Sequence, residues 1–185
     1  MTIAAVVLAA GGGRRWNGRG HKLLALMNGT PIFEHSIRAA ADAALDELVV
    51  VTGAVELCHD VLQDAVVLHN PAWAEGQASS IQIALDHCQQ RNHQAAVFGL
   101  ADTPGVPAQA WSAVASEMGD LVCATFGGER RPPVKVGSIF WDELQKEGYE
   151  GARVLLHRRA SVVVDVACSG QPADIDTLED LRQWS

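Results

Sequence analysis

The chain is poor in several features that mark whole protein classes. Its four cysteines, Cys58, Cys88, Cys123 and Cys168, lie far apart and form no Cys-x-x-Cys pair. Disulfides are rare in the cytosol, so buried free thiols are the expectation. His87 and His93 lack the i, i+4 spacing of a helical zinc pair, and no structural zinc is expected. No apolar stretch reaches the roughly 18 residues a membrane helix needs. The N-terminus lacks the basic region of a signal peptide, so the expected compartment is the cytoplasm, with no membrane partner. Positive charge is scarce, with 14 Lys and Arg against 22 Asp and Glu and a net charge of −8. That balance argues against a general nucleic-acid binder. Only Arg38 and Arg91 fall between Leu23 and Glu129. An acidic body with two basic segments suits a localised polyanionic ligand.

What is present is an alternation of apolar runs and helical patterns through 185 residues. A chain of this length suits one domain, residues 1–185, with a substantial core. Strands are expected near 3–10, 47–52, 65–69, 95–100, 121–125, 134–136 and 161–166. Helices are expected near 31–44, 55–62, 79–90, from Pro107, at 141–146, at 152–157 and from Thr177. This order implies an α/β fold: a mostly parallel, Rossmann-like sheet flanked by helices on both faces, built by right-handed crossovers. Thr177-Leu178-Glu179-Asp180 has the form of a capping box with Asp in the last place.

The first apolar run breaks into Gly11-Gly12-Gly13-Arg14-Arg15, with Lys22 beyond. Ligands of open α/β sheets bind at the carboxyl ends of strands. Glycines let backbone N–H groups approach an anion, and Arg and Lys supply countercharge. The loop reads as a cradle for a nucleotide's phosphates. It is not a P-loop, because Gly20-His21-Lys22-Leu23 breaks the Gly-Lys step and lacks the following hydroxyl. Nor is it a dinucleotide fingerprint, since Trp16 holds the third glycine's place and the second strand ends in Thr52-Gly53 without an acid.

Leu8-Ala9-Ala10-Gly11-Gly12-Gly13-Arg14-Arg15 followed by Lys22 resembles the signature Leu-Ala-Ala-Gly-x-Gly-x-Arg-Met-Gly-x-x-Lys of the MobA-like NTP transferase family, which includes molybdenum cofactor cytidylyltransferases. Trp16 and Asn17 depart from it, and Lys22 arrives two residues late. Asn70-Pro71-Ala72-Trp73-Ala74-Glu75-Gly76-Gln77-Ala78-Ser79-Ser80-Ile81 is similar to the family's Asn-x-x-Trp-x-x-Gly-x-x-Ser-Ser segment, which lines base and sugar. Ser79 and Ser80 lie where a helix is expected to begin, offering hydroxyls and free N–H groups to a ligand; an N-cap role for Ser79 is the alternative. Asp102 in Ala101-Asp102-Thr103-Pro104 follows an apolar strand and is similar to the family's Asp-x-Pro magnesium ligand. Asp174-Ile175-Asp176-Thr177 resembles a C-terminal Asp-Ile-Asp-Thr segment. Alternation puts Asp174 and Asp176 on one face, so either can reach a metal; a cap formed by Thr177 is the alternative. Two segments facing the acceptor depart further: Tyr149 replaces an acid in Gly148-Tyr149-Glu150-Gly151-Ala152-Arg153, and Arg131-Pro132 replaces Gly-His before Pro133-Val134.

The resemblance implies a Mg²⁺-dependent nucleotidyltransferase moving an NMP from NTP to a small phosphorylated acceptor with release of pyrophosphate. It implies nucleotide binding by Leu8, Ala9, Ala10, Gly11, Gly12, Gly13, Asn70, Gly76, Ser79 and Ser80. Arg15, Lys22 and Asp102 would act in catalysis, with Asp102 and Asp176 holding the metal. Ala10 favours CTP over GTP, and the implied acceptor is molybdopterin. Transfer to a sugar phosphate is the alternative reaction, and a non-catalytic carrier that delivers the cofactor to a molybdoenzyme client is the alternative class. Trp16 and Trp73 are candidates to stack on a base or pterin, while Trp111, Trp141 and Trp184 read as packing anchors.

Overall fold

The computed structural model describes residues 1–58, 60–144 and 151–184. In chain order these form β1 (Ile3–Ala9), β2 (Leu26–Met27), β3 (Thr30–Pro31), α1 (Ile32–Asp42), β4 (Glu47–Thr52), β5 (Val66–His69), α2 (Gln77–Gln90), β6 (Ala95–Leu100), α3 (Ala108–Ser116), β7 (Leu121–Phe126), β8 (Glu129–Gly137), α4 (Arg153–Arg158), β9 (Val164–Ala167) and α5 (Leu178–Arg182). Seven strands make one sheet in the order β5-β4-β1-β6-β8-β7-β9. β1 lies parallel to β4 and β6, β4 to β5, and β7 to β9; β8 alone runs antiparallel to its neighbours. β2 and β3 pair separately.

Strand β1 is apolar at every position because both faces of the sheet are covered. Ala4, Val6, Leu8 and Ala10 pack with Ile81, Ala84 and Leu85 of α2 and Leu155 and Leu156 of α4. Ala5, Val7 and Ala9 face the other way, onto Phe33, Ile37 and Ala40 of α1 and Ala110, Trp111 and Val114 of α3. Each alternate side chain of the strand therefore belongs to a different core. A third cluster of Met27, Ile32 and Ile175, joined by Trp16, Leu181 and Trp184, ties the C-terminal segment to the first loop. β1 sends its successor to one side, through α1 to β4, while β6 lies on the other side. Their carboxyl ends flank the crevice where the chain's winding reverses, which is where such sheets bind ligands.

The structure departs from the sequence expectations in particular places. Residues 55–58 are not helical, and only Asp60–Leu62 form a turn of 3-10 helix. α1 starts at Ile32 with Pro31 as its N-cap, and Thr30 and Pro31 also pair with β2. α2 starts at Gln77 with Gly76 as its cap, so Ser79 lies within the first turn. β8 runs back through Pro132 and Pro133 to Glu129, joined to β7 by Gly127-Gly128, both at positive φ. Such a two-residue turn matches the twist of a hairpin. Residues 138–143 form a 3-10 helix capped by Leu144 where a helix over 141–146 was expected, and residues 145–146 lie outside the described residues. All four cysteines are free; Cys88 and Cys123 are buried, and burial pushes both thiols up to about 12. Cys58 is exposed.

At the opposite end of the sheet, Glu47 gathers three donors. His87 Nε2 and His93 Nε2 stand 2.9 and 3.0 Å from its Oε2, and Arg91 Nε stands 3.2 Å from its Oε1. Burial pushes the Glu47 carboxyl up, but these hydrogen bonds and charges outweigh it and hold the group below the ordinary 4.5. A carboxylate depressed in the fold contributes stability above its unfolded pKa and loses it as pH falls through the folded one. The urea midpoint of the native protein is therefore expected to fall as pH drops below about 4.5, and Glu47→Gln is expected to flatten that fall. Parallel pH profiles of the two proteins would remove Glu47 from the acid transition.

Candidate active site

The loop leaving β1 is built around unspent donors. None of the backbone N–H groups of Gly11, Gly12 and Gly13 has an acceptor among the described residues. Three consecutive free amides make a concave site for an anion. Gly13 sits at φ +59°, in the left-handed region. The ring of Trp73 lies so close to Gly12 that a Cβ there would come within 2.6 Å of it, so a side chain at this position displaces the indole. His21 closes the loop from below. Its Nε2 is 2.9 Å from the carbonyl of Gly11, and its Nδ1 accepts from Leu23 N at 3.3 Å. Burial and the neighbouring Lys22 lower the pKa of the ring, against the opposing effect of the Gly11 bond.

Beyond His21 the chain turns once as a 3-10 helix, Lys22–Leu24, which carries Lys22 into the crevice. Lys22 is 7% exposed. Its Nζ lies 2.5 Å from Asp102 Oδ2 and 2.8 Å from Asp176 Oδ1. Burial alone lowers an ammonium's pKa, but Asp102 and then Asp176 more than reverse this, and the Lys22 pKa is raised. Arg15 approaches Asp176 from outside, with its terminal nitrogen 2.7 Å from Oδ2 and its side chain largely in solvent.

The two aspartates come from segments 74 residues apart in the sequence, brought together by backbone and core. Asp102 follows β6, and its carbonyl accepts from Ile175 N at 2.9 Å. Ile175 is fully buried in the third cluster, so its neighbours Asp174 and Asp176 both turn to the opposite side. The cap on α5 fixes the same segment. Thr177 accepts from Asp180 N, while Asp180 Oδ2 accepts from Thr177 N at 2.8 Å and Asp176 N at 3.0 Å. The cap and the ligand reading are thus compatible: Thr177 caps while Asp176 reaches the crevice. Asp174 is open to solvent on the wall of a neighbouring cavity. Crowding by protein atoms, then the charges of Asp102 and Asp176, push its carboxyl up to about 6.

Around this cluster lies a cleft of about 180 Å³, lined among others by Leu8, Ala10, Gly11, Gly13, Lys22 and Asp102. Ala9, Gly76 and Ser80 also line it. Gly76 adopts φ 124° and ψ 174°, a conformation open essentially to glycine alone. Asn70 is fully buried beneath. Its Nδ2 donates to Ser79 Oγ and Ser80 Oγ at 2.9 and 2.8 Å, and its Oδ1 accepts from Ala72 N. Asn70 and Ser79 therefore brace the loop before α2, and Ser80 carries that bracing to the cleft wall. The cleft shares Leu8, Gln77 and Leu100 with a larger cavity of about 610 Å³. The larger space has an apolar floor including Ile81, Phe98 and Val134, and a rim carrying Arg131, Arg153 and His157. Both divergent acceptor-facing segments reach it, through Arg131-Pro132 and through Ala152-Arg153. Gly148, Tyr149 and Glu150 lie outside the described residues.

The sequence profile of the MobA-like NTP transferase domain matches residues 5–162. The chain belongs to the MobA-like NTP transferase family. The bifunctional protein GlmU of Roseobacter denitrificans is 26% identical over 184 residues, covering 92% of this chain; the chain spans 39% of that relative's length. Among solved structures, Rv0371c of Mycobacterium tuberculosis superposes with a TM-score of 0.81 at 22% identity, covering 99% of this chain and 97% of its own. Rv0371c has also been solved in complex with manganese. A nucleotidyl transferase from Methanothermobacter thermautotroptrophicus, Mth528, superposes at 0.80 with 22% identity over 98% and 95%. These likenesses show that the chain has the α/β fold of those structures over nearly its whole length.

Within this MobA-like domain the tryptophans divide differently from expectation. Trp16 does not stand over the glycine loop; its indole packs on Gly18 and joins the third cluster, with its N–H buried and unpaired among the described residues. Trp73 is the one that covers the loop, against Gly12 and Gly53. Trp111 packs on Gly99, Trp184 on Gly105, and Trp141 is buried with its N–H on the carbonyl of Val136. His21 and Gln77 line or support the crevice without having been singled out in the sequence. The signal for His21 was available: a loop two residues too long needs something to draw its far end back.

Proposed function

We propose that this MobA-like protein transfers a nucleotidyl group, CMP in preference to GMP, from NTP to a small phosphorylated acceptor, molybdopterin being the acceptor its motifs favour. The supporting observation is that Asp102 and Asp176 converge on one point, the Lys22 ammonium, beside three free amides at the end of β1. Two carboxylate oxygens that already share one cation fit a second kind of cation. No cluster of three or more His, Cys, Asp or Glu suited to a metal occurs among the described residues. That donor set matches Mg²⁺, which binds through one or two carboxylates plus substrate phosphates. Asp102 and Asp176 would hold it, and when bound it would offset charge on the reacting phosphate.

The protein's own groups then do the following. The amides of Gly11, Gly12 and Gly13 hold the β- and γ-phosphates. Arg15, exposed and paired only through its tip, exchanges Asp176 for a phosphate oxygen. Lys22 follows the negative charge onto the α-phosphate, where an acceptor oxygen attacks in line and pyrophosphate leaves. Preorganised donors of this kind contribute about 3 kcal/mol each, roughly a hundredfold in rate. Leu8, Ala9, Ala10, Gly76 and Ser80 border the nucleoside, with Asn70 and Ser79 holding that wall in place. The larger cavity takes the acceptor, its rim arginines facing the acceptor's anionic groups.

The test is pyrophosphate release measured for each NTP against molybdopterin and against a set of sugar phosphates. Fastest turnover with CTP and molybdopterin is the expected result. Turnover confined to sugar phosphates would move the protein to the alternative reaction. NTP binding with no turnover on any acceptor would make it a carrier.

A further inference from the structure

We propose that His21 is a positioning residue of the phosphate loop, aiming the loop's amides and seating Lys22 through two simultaneous hydrogen bonds. The inference rests on the reading of that loop as the triphosphate site. Nε2–H donates to the carbonyl of Gly11 at 2.9 Å, and Nδ1 accepts from Leu23 N at 3.3 Å. A peptide unit is planar and trans, so its C=O and the following N–H point in opposite directions. Drawing the Gly11 carbonyl towards His21 therefore turns the Gly12 N–H away from it, without an internal acceptor. The second bond caps the 3-10 turn whose first residue is Lys22. One ring thus links the start of the loop to the residue that ends it.

The packing supports the same link. A Cβ on Gly13 would meet Lys22 Cγ at 3.3 Å and His21 Nε2 at 3.7 Å, so residues 21–22 lie directly against the glycines. The Nδ1 contact requires a neutral ring, and burial and the adjacent Lys22 favour the neutral form. The two extra residues between Arg15 and Lys22 lengthen the loop, and His21 takes up the slack by anchoring its far end to Gly11.

Three variants separate the two bonds. Glutamine at position 21 places an N–H₂ near the position of Nε2 and can still reach Gly11. Asparagine places an acceptor near Nδ1 and keeps only the cap on Leu23, and alanine keeps neither. CTP binding is measured by calorimetry for native protein, H21Q, H21N and H21A, with thermal midpoints alongside. A hydrogen bond from an amide to a charged phosphate oxygen is worth a factor of about ten to a hundred in affinity. H21A is expected to lose about tenfold to a hundredfold in CTP affinity by misaiming those amides, with H21Q recovering most of the loss and H21N little of it. A purely structural role would make affinity follow the thermal midpoint through all three variants, and that result would overturn the proposal. So would H21A binding CTP as tightly as native protein. If H21A does not fold, the comparison of H21Q with H21N decides: equal affinities overturn the proposal, and a clear advantage for Gln supports it. Native protein that binds neither CTP nor GTP would instead refute the reading of the loop itself.

Discussion

Lys22→Met is expected to weaken CTP binding by about tenfold to a hundredfold, the worth of a hydrogen bond between charged groups, and, in the same protein, to increase affinity for Mn²⁺ alone. The two effects have one cause. In the native crevice Lys22 and Arg15 already neutralise Asp102 and Asp176, all within salt-bridge distance. A divalent ion arriving without nucleotide meets two carboxylates already paired with cations and must displace a buried ammonium. Without Lys22, the two carboxylate oxygens that touched one nitrogen at 2.5 and 2.8 Å are left within roughly 5 Å of each other and unshared. At that separation and an effective dielectric near 20, their repulsion is about 3 kcal/mol. A cation relieves it. Titration of Mn²⁺ by electron paramagnetic resonance against native protein and the variant reads this directly. Metal affinity that is unchanged or lower in the variant would show that the lysine does not occupy the metal's place. On this account nucleotide and metal enter together, because the phosphates draw Lys22 and Arg15 off the carboxylates.

Asp102→Asn is expected to abolish pyrophosphate release, by about a thousandfold or more on the scale of losing a preorganised group that meets transition-state charge. The fold should survive, because the contact that fixes this position to the C-terminal segment is made by the Asp102 carbonyl, which accepts from Ile175 N. Asparagine preserves that carbonyl and an oxygen able to accept from Lys22. What it removes is one of the two charges proposed to hold the metal. Binding of CTP without metal should therefore change far less than turnover. A coupled pyrophosphate assay on the purified variant, with its thermal midpoint, separates these effects. A variant that keeps most of its turnover would take Asp102 out of the metal site.

Much of this was legible in the sequence because it depends on local order. The glycine-rich break after an apolar run, the acid after the strand at 95–100 and the cap at Thr177 are each written within a few residues. The doubly covered sheet follows from β1, whose unbroken apolar stretch leaves no face for solvent. Other features depend on partners far along the chain. Trp16 sits between an arginine and an asparagine in a loop, and nothing nearby reveals the cluster that Met27, Ile32 and Ile175 build for it. The pairing of Arg15 with Asp176 crosses 161 residues. The strand expected near 134–136 extends back to Glu129, through two prolines and two arginines. The hairpin carries them, with Gly127-Gly128 supplying the turn. The helix expected over 55–62 failed in the opposite sense: its apolar spacing is helical, but residues 55–58 run without regular structure and only Asp60–Leu62 close a turn.

The most direct test of the account is a crystal structure of the protein with Mn²⁺ and a non-hydrolysable CTP analogue, read by the anomalous signal of the metal. The account places that signal between the side chains of Asp102 and Asp176, with the β- and γ-phosphates on the amides of residues 11–13 and Lys22 turned onto the phosphate chain. A metal bound elsewhere, or a triphosphate lying away from those amides with Lys22 still on both aspartates, would contradict it.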